Sequence, residues 1–158
     1  TDSARIQDTV RYALRSWLKL KTYKYVMLLQ PTAPFRISQD IDDVILLAER
    51  YDADSVVSFT PEETKHPYYM YYFKPSNDQC GKNELSPVVH YTVGTPRQEF
   101  PNCAYRNGAI YMVKIDVFLE QDVFITDNVV PYFMPPERSL NIDTPEDMQY
   151  ADYLIKTR

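Results

Sequence analysis

The sequence predicts an α/β fold in which helices cover a mainly parallel sheet, and three consecutive segments carry this prediction. Residues 25–29 form a short, continuous apolar run, which is the pattern of a strand buried on both faces. Residues 38–48 follow with apolar side chains at helical spacing, and residues 55–60 form a second, β-branched strand. A strand, a helix and a strand at this spacing make a βαβ unit, which predicts parallel strands under helices.

The helices are predicted from their caps and their apolar faces. Asp2 or Ser3 can cap a first helix, whose apolar face would contain Ile6, Val10, Ala13, Leu14, Trp17 and Leu18. Ser38 is the expected cap of the second helix, whose stripe would be Ile41, Val44, Ile45 and Ala48. Thr144 followed by Pro145 and Asp147 predicts the start of a last helix, with an inward face of Met148, Ala151, Leu154 and Ile155.

Further strands are expected in the middle of the chain. Residues 109–113 form a third apolar run, and a short helix should follow at about 114–120. Residues 129–135 contain Pro131, which restricts that segment to an edge or short strand. The aromatic residues 68–73 suggest a strand without a clear inner face, and the polar stretch 75–85 suggests a loop or an excursion from the main sheet.

Composition excludes several classes of function. The chain has 158 residues and a net charge of −5, which argues against a nucleic-acid partner. There is no apolar run long enough to span a membrane and no signal peptide, so we expect a cytoplasmic protein. Cys80 and Cys103 have no metal-site spacing and indicate free thiols, with a single disulfide as the alternative. The three glycines cannot form a glycine-rich phosphate loop.

Several polar residues follow the predicted strands, where ligands bind in parallel α/β folds. Gln30 opens a loop bounded by Pro31 and Pro34, and Asn107 lies beside the third strand. Asn141 and Asp143 are two residues apart in an extended segment, so their oxygens should point to one side and could bind Mg²⁺. Each position also has a structural explanation, as a strand-end amide or a surface turn.

Two further residues are candidates on weaker grounds. Arg97 lies in a proline-bounded loop, where its guanidinium could grip a carboxylate with two hydrogen bonds. The alternative for Arg97 is a solvated surface loop. Tyr111 lies in the third apolar run, where it could equally be a core residue. Residue spacing by itself therefore predicts an α/β domain with a polar rim.

Four motifs in order resemble the cytidylyltransferases that make CMP-activated acidic sugars, and most closely the CMP-sialic acid synthetases. They are LLQPTAPFR, DADSVVSFT, PRQEFPNCAYRNGAIYM and SLNIDTPEDMQYADYLI, and the likeness covers nearly the whole chain. The resemblance implies a three-layer, Rossmann-like nucleotidyltransferase fold. It also implies an enzyme that uses Mg²⁺ to transfer CMP from CTP to the anomeric hydroxyl of an acidic nonulosonic sugar, with release of pyrophosphate.

The resemblance also implies roles for individual residues. Gln30 should hydrogen-bond the sugar, and Arg97 should meet the sugar carboxylate, across a homodimer interface. Residues from about 67 to 100 would form the excursion that makes this dimer. Asn107, Tyr111 and Phe124 should line the pocket for the acyl sugar. Asn141 and Asp143 should bind magnesium, and Asp143 should also contribute to catalysis.

The chain departs from the family pattern in three ways. Family members begin with a strand and a basic, glycine-containing loop for the CTP triphosphate, so residues 1–158 are expected to be a cytidylyltransferase domain without those two elements. Asn141 stands where an aspartate is usual, and Tyr69 where some members have lysine. The alternatives are therefore a sibling specificity for legionaminate, pseudaminate or Kdo, or a non-catalytic binding or assembly fragment. The general base is not identified.

Overall fold

The computed structural model describes residues 5–17, 23–75, 83–92 and 94–157. It contains two compact units, of which the first joins Thr1–Thr60 to Arg106–Arg158 and the second is Pro61–Tyr105. The expected caps Asp2 and Ser3 lie outside the described residues, as do Leu18 and Cys80. Cys103 is a free cysteine.

Helices and strands alternate along the chain much as the hydrophobic pattern indicates. In chain order they are α1 (Ile6–Trp17), β1 (Tyr25–Leu28), α2 (Ser38–Arg50), β2 (Ser55–Pro61), β3 (Tyr71–Lys74), β4 (Glu84–Pro87), β5 (Ala104–Lys114), α3 (Ile115–Gln121), β6 (Val129–Phe133) and α4 (Pro145–Thr157). Across the described ranges, every helix is too short or too polar to cross a membrane.

The central sheet has the strand order β1–β5–β2–β6. Strands β2 and β6 are parallel, whereas β1 and β5 are antiparallel, with Leu28 opposite Tyr111. This mixed, mainly parallel sheet with its helices confirms the predicted α/β class. The βαβ unit differs from the expectation in one respect, because β5 lies between β1 and β2.

Helices cover both faces of this sheet. One apolar cluster joins α2 to one face through Tyr25, Met27, Val44, Ala48, Val56 and Met112. A second cluster joins α1 and α3 to the opposite face through Leu14, Val26, Leu28, Val113 and Phe118. Successive side chains of a strand point to opposite faces, which is why neighbours in β1 enter different clusters. The arrangement has three layers, with the sheet in the middle.

Strand β6 lies at the edge of the sheet, as its proline predicts. Pro131 is opposite Val57 of β2. Proline has no N–H for the sheet ladder, so a strand that contains it is tolerated where one side has no partner strand. Asn107 and Gly108, by contrast, lie inside β5 and not beside a strand as expected. Because β5 runs antiparallel to β1, its first half lies near the carboxyl end of β1.

The apolar faces of the helices are narrower than the sequence suggests. Leu14, Val44, Ala48 and Ala151 are buried as expected. Ile6, Ile45, Met148 and Ile155 are exposed, contrary to the prediction. These four side chains lie in the end turns of helices or at the margin of a stripe, where a helix no longer contacts the sheet. Helix α2 also begins one residue earlier than expected: Ser38 is its first residue, and Ile37 is the N-cap.

The second unit contains a two-stranded antiparallel sheet and an aromatic cluster. Strands β3 and β4 pair with Tyr71 opposite Pro87. Phe100 packs against several rings, namely those of His66, Tyr68, Tyr69 and Tyr91. His66 is buried and bonds the backbone of Tyr68 and Pro101, so its role is structural. The large hydrophobic side chains of β3 and β4 that are exposed are Tyr71, Tyr72, Phe73 and Leu85.

A buried carboxylate ties α2 to the segment that leads to the last helix. Arg138 donates two hydrogen bonds to Asp40, of which the Nη2–Oδ1 bond is 2.8 Å long, and Tyr132 donates a third. Burial opposes ionisation of Asp40, but the bonds from Arg138, the Ile37 backbone and Tyr132 outweigh it and hold the pKa of this carboxyl below its usual range. Asp40 is thus ionised and fully paired at neutral pH.

We expect Asp40→Asn to lower the free energy of unfolding by roughly 1.5–3 kcal/mol at pH 7, the range for a hydrogen bond to a charged group. The pKa of Asp40 is lower in the folded protein than in the unfolded chain, where it is about 3.9. The carboxylate therefore stabilises the fold at pH values above about 3.9, and this stabilisation is lost as the pH falls below that value. Urea unfolding at pH 7 and pH 3.5 should therefore show a difference between wild type and variant that shrinks in acid.

Asp42→Asn is the matched control, because Asp42 is an exposed residue of the same helical turn. We expect this control to change the unfolding free energy by less than about 0.5 kcal/mol. An equal loss of unfolding free energy in both variants would mean that any negative charge in the first turn of α2 stabilises the protein. The Asp40–Arg138 pair would then contribute nothing beyond that charge.

Candidate functional site

The proline loop after β1 is held by one arginine. Arg36 Nη1 donates to the backbone oxygens of Gln30 (2.8 Å), Ala33 (2.9 Å) and Ala109 (3.0 Å). Burial lowers the pKa of Arg36 from its ordinary value, an effect that the nearby Asp40 opposes. A guanidinium stays protonated in proteins all the same, so its donors remain charged. The loop is therefore fixed to β5 at the carboxyl end of β1.

The segment with Asn141 and Asp143 is attached to the same framework. The backbone N–H of Ile142 donates to the carbonyl of Thr32 in the proline loop, at 2.8 Å. Just before it, Ser139 accepts a hydrogen bond from the side chain of Asn107 at 2.9 Å. The proline loop, β5 and residues 139–143 thus meet at one edge of the sheet. This edge is where the sequence predicts a ligand.

A cavity of about 330 Å³ opens at this edge. It brings together three of the predicted substrate residues, Gln30, Tyr111 and Phe124. The rings of Tyr111 and Phe124 are 6.1 Å apart. The other residues that line it are Ile6, Gln7, Leu28, Arg106, Val123 and Ile125. Sequence reasoning missed Arg106, although its place directly before the Asn-Gly pair could have marked it.

Asn107 has a different position from the one expected. Its side chain is 1% exposed and is not among the residues that line this cavity. Its amide oxygen accepts hydrogen bonds from the Ser58 hydroxyl (2.6 Å) and the Ala109 backbone (3.1 Å), while its nitrogen donates to Ser139. Through these bonds Asn107 connects β2, β5 and residues 139–143.

Asn141 and Asp143 lie on the same side of their segment, as their spacing predicts. Asn141 Nδ2 donates to Asp143 Oδ2, while Asn141 Oδ1 is buried and has no partner among the described residues. A half-turn of the amide exchanges its oxygen and nitrogen and places Oδ1 beside the carboxylate. Two oxygens on one side then fit Mg²⁺, which takes its other ligands from phosphates and water. The described residues contain no cluster of three or more acidic, His or Cys ligands.

Gly108 lets these side chains approach the backbone of β5. Its φ of +75° is in the left-handed region that favours glycine. A Cβ at this position would lie 3.0 Å from Gln30 Oε1 and 3.5 Å from Asn141 Oδ1. The absence of a side chain thus allows the predicted sugar ligand and the predicted metal ligand to converge on one point.

Arg97 lies in the second unit, in the short turn Arg97–Glu99, and its side chain is exposed. Its predicted contact with a carboxylate therefore remains a prediction.

A larger cavity, of about 540 Å³, lies at the end of β5 and is lined by Lys24, Asp52 and Lys114 among others. Its two lysines already have partners: Lys24 pairs with Asp52 at 2.9 Å, and Lys114 with Asp54 at 2.8 Å. The bond to Asp54 is the main reason that the pKa of Lys114 is raised above its usual range. Because these charges neutralise one another, we assign this cavity a structural role and place the candidate site at Gln30.

The fold and the site define an α/β protein with a small cavity at the carboxyl end of a sheet strand. Comparison with curated proteins finds several relatives, including the following three. The N-acylneuraminate cytidylyltransferase of Streptococcus agalactiae serotype III (strain NEM316) is 30% identical over 164 residues, which are 100% of this chain and 37% of that protein. Its counterpart from serotype V (strain ATCC BAA-611 / 2603 V/R) is 29% identical with the same coverage. Post-translational flagellin modification protein B of Campylobacter coli is 27% identical over 130 residues, 82% of this chain and 52% of that protein.

These relatives confirm the resemblance seen in the motifs: the chain is a homologue of the CMP-sugar cytidylyltransferases. It spans 37% to 52% of the length of the relatives it matches. No protein-family model matches the chain.

We expect Gly108→Ala to destabilise the protein and to displace Gln30. An alanine at positive φ costs about 1–2 kcal/mol of unfolding free energy. Its Cβ would also press on Gln30 Oε1, so the NMR signals of the Gln30 side-chain amide should shift. Urea unfolding and side-chain amide spectra measure the two effects separately.

Gly94→Ala is the matched control, because Gly94 has a φ of +93° and no atom within 4 Å of its Cβ position. It should lose similar stability and leave the Gln30 signals in place. Unchanged Gln30 signals in Gly108→Ala would contradict the close packing at this point.

Proposed function

We propose that this chain forms the sugar-side part of a cytidylyltransferase that transfers CMP from CTP to the anomeric hydroxyl of an acidic nonulosonic sugar. The hydroxyl oxygen forms a bond to the α-phosphorus of CTP and loses its proton, which is released to the solvent. The bond from that phosphorus to the bridging oxygen breaks, and pyrophosphate leaves. The sequence relatives named N-acylneuraminate cytidylyltransferase support this reaction class.

One observation carries the proposal. Gln30, Tyr111 and Phe124 are far apart in the sequence, yet all three line one cavity. Its volume of about 330 Å³ is near the lower end of the range of about 300–1,000 Å³ for ligand sites, which suits a single sugar. In this assignment Gln30 hydrogen-bonds the sugar, while Tyr111 and Phe124 form its apolar wall.

The framework residues supply positioning. Arg36 and Asn107 fix the proline loop, β5 and residues 139–143, which limits the conformational freedom that the site loses on binding. In phosphoryl transfer, most of the acceleration comes from positioning and electrostatic stabilisation. Rigid attachment of Gln30 and Asp143 to one framework is therefore the contribution expected of this chain.

The proposed metal ligands are Asp143 and Asn141, with Asp143 as the residue that contributes to catalysis. Bound Mg²⁺ would neutralise charge on the phosphoryl oxygens. Asp143 provides the formal charge of the pair and is exposed, and Asn141 provides an amide oxygen. An amide ligand adds no charge, so we expect weaker magnesium binding than with two carboxylates.

A homodimer is proposed for the second unit. The exposed aromatic side chains of β3, such as Tyr72 and Phe73 at 65% and 67% exposure, support an interface there. In such a dimer Arg97 would meet the carboxylate of the sugar bound to the other protomer.

Two alternatives remain distinct from the main proposal. A sibling specificity for legionaminate, pseudaminate or Kdo would use the same cavity and the same reaction. The chain also matches a protein that is named for flagellin modification and not for N-acylneuraminate, which leaves the identity of the sugar open. A non-catalytic binding or assembly role would use the cavity without transfer of CMP, and the charge-poor Asn141–Asp143 pair is the observation that favours it.

The proposal is tested in the polypeptide that carries this chain, with CTP, Mg²⁺ and N-acetylneuraminate. We expect CMP-sugar and pyrophosphate in equal amounts, and we expect Asp143→Ala to lower kcat by about 10²-fold or more, as for the loss of one preorganised electrostatic contact. Asn141→Asp should lower the Mg²⁺ concentration at half-maximal rate. If Asp143→Asn keeps full activity and the Mg²⁺ concentration at half-maximal rate does not change, Asp143 only shapes the turn before α4.

Arg97→Lys should raise the KM for the sugar about tenfold or more and leave the KM for CTP nearly unchanged. Lysine keeps the charge but cannot form the two parallel hydrogen bonds of a guanidinium with a carboxylate, and the loss of one charge-assisted bond is worth roughly 1.5–3 kcal/mol. Steady-state kinetics with each substrate varied in turn measures both constants. Equal changes in both would exclude this role for Arg97.

A further inference from the structure

Arg106 is a cation at the cavity that the sequence motifs did not assign. It lies in β5, and its side chain lines the cavity with Gln30 and Tyr111. Its guanidinium makes no hydrogen bond or ion pair with any residue that the structure describes. Two other arginines of this unit have carboxylate partners: Arg11 pairs with Asp122, and Arg138 pairs with Asp40.

Among the described residues that line the cavity, none carries a charge that would balance that of Arg106. The described residues that line the cavity include no aspartate or glutamate. The whole chain nevertheless has a net charge of −5. A single guanidinium at the mouth of a small cavity, with no carboxylate beside it, favours an anionic ligand.

The other residues that line the cavity indicate which further chemical groups the ligand carries. Gln7, Gln30 and the Tyr111 hydroxyl can hydrogen-bond hydroxyl or amide groups. The other side chains at the cavity are apolar, namely Ile6, Leu28, Val123, Phe124 and Ile125. A ligand that fits this pattern has one acidic group, several polar groups and an apolar substituent. An acidic sugar with an acyl group has this chemistry.

We propose that Arg106 binds the carboxylate of the sugar within the same protomer and so selects acidic over neutral sugars. The identity of the ligand as an acidic sugar rests on the proposed function. The planar guanidinium can take both carboxylate oxygens, with Gln30 and Tyr111 orienting the sugar ring. The proposed contact from the partner's Arg97 would add to this one, and acid recognition would not depend on the dimer alone.

The test is calorimetric titration with two matched pairs of probes: N-acetylneuraminate and its methyl ester, and Kdo and its methyl ester. The polypeptide that carries this chain is compared with Arg106→Gln, Arg106→Lys and Arg15→Gln. Arg15 is exposed, belongs to α1 and is not among the cavity residues, so it controls for a general loss of positive charge.

We expect the unaltered protein to bind at least one acid more tightly than its ester. Arg106→Gln should weaken binding of that acid about tenfold or more and leave binding of the ester nearly unchanged. Arg106→Lys should retain part of the preference, because lysine keeps the charge without the planar fork. Arg15→Gln should bind like the unaltered protein.

The other outcomes overturn the inference in distinguishable ways. Equal weakening of acid and ester by Arg106→Gln would mean that Arg106 only shapes the cavity. Unchanged binding of the acid would exclude Arg106 as its partner, while formation of CMP-sugar by the unaltered protein would leave the proposed function standing. An unaltered protein that binds none of the four probes would overturn the assignment of Arg106, and formation of CMP-sugar from CTP would then decide the proposed function separately. If Arg106→Gln does not fold, Arg106→Lys and Arg106→Met replace it. The assignment is overturned if both of these variants still prefer the acid over its ester as strongly as the unaltered protein does.

Discussion

The guanidinium of Arg36 is the contact on which the candidate site depends. It joins the carbonyls of Gln30 and Ala33 to that of Ala109 and so fixes the proline loop to β5. Backbone carbonyls that leave a strand need partners when water cannot reach them, and here one charged side chain provides for three of them. The two prolines limit the loop further, so little freedom remains in the backbone around Gln30.

From this contact the framework extends to the other candidate residues. The loop holds Ile142 through Thr32, and Asn107 holds Ser139, so residues 139–143 are attached at both ends. Asp40 and Arg138 attach the preceding turn to α2. Gln30 at the cavity and Asn141 at the proposed metal site thus belong to one hydrogen-bonded framework. A displacement at Gly108 would reach both through Gln30 and Asn141.

The helices and most of the strands could be predicted from the sequence because their hydrophobic periods are strong, whereas β4 begins in the polar stretch that was expected to be a loop or an excursion. The sequence did not reveal that β5 lies between β1 and β2, since strand order depends on contacts between distant segments and not on local pattern. The same insertion explains how Asn107 and Arg106 come to the carboxyl end of β1. Gln30, Tyr111 and Phe124 were predicted from motifs, and all three line one cavity. Asn107 was assigned to the same pocket, but its side chain lies outside the cavity lining and bonds Ser58 and Ser139, so its contact with the sugar stays a prediction.

The cap of α4 has a consequence for anions that approach Asp143. Asp147 accepts hydrogen bonds from the backbones of Asp143 and Thr144 and from the Thr144 hydroxyl. The Thr144 hydroxyl bond is the largest of the effects that hold the pKa of Asp147 below its usual range. Free N–H groups at the start of a helix often receive phosphates. Here the carboxylate of Asp147 takes the N–H groups of Asp143 and Thr144 just before the helix, and the Thr144 hydroxyl takes the N–H of Asp147. An approaching phosphate would meet two neighbouring negative charges in place of open donors, so this end of α4 repels a bare phosphate and admits one accompanied by a cation.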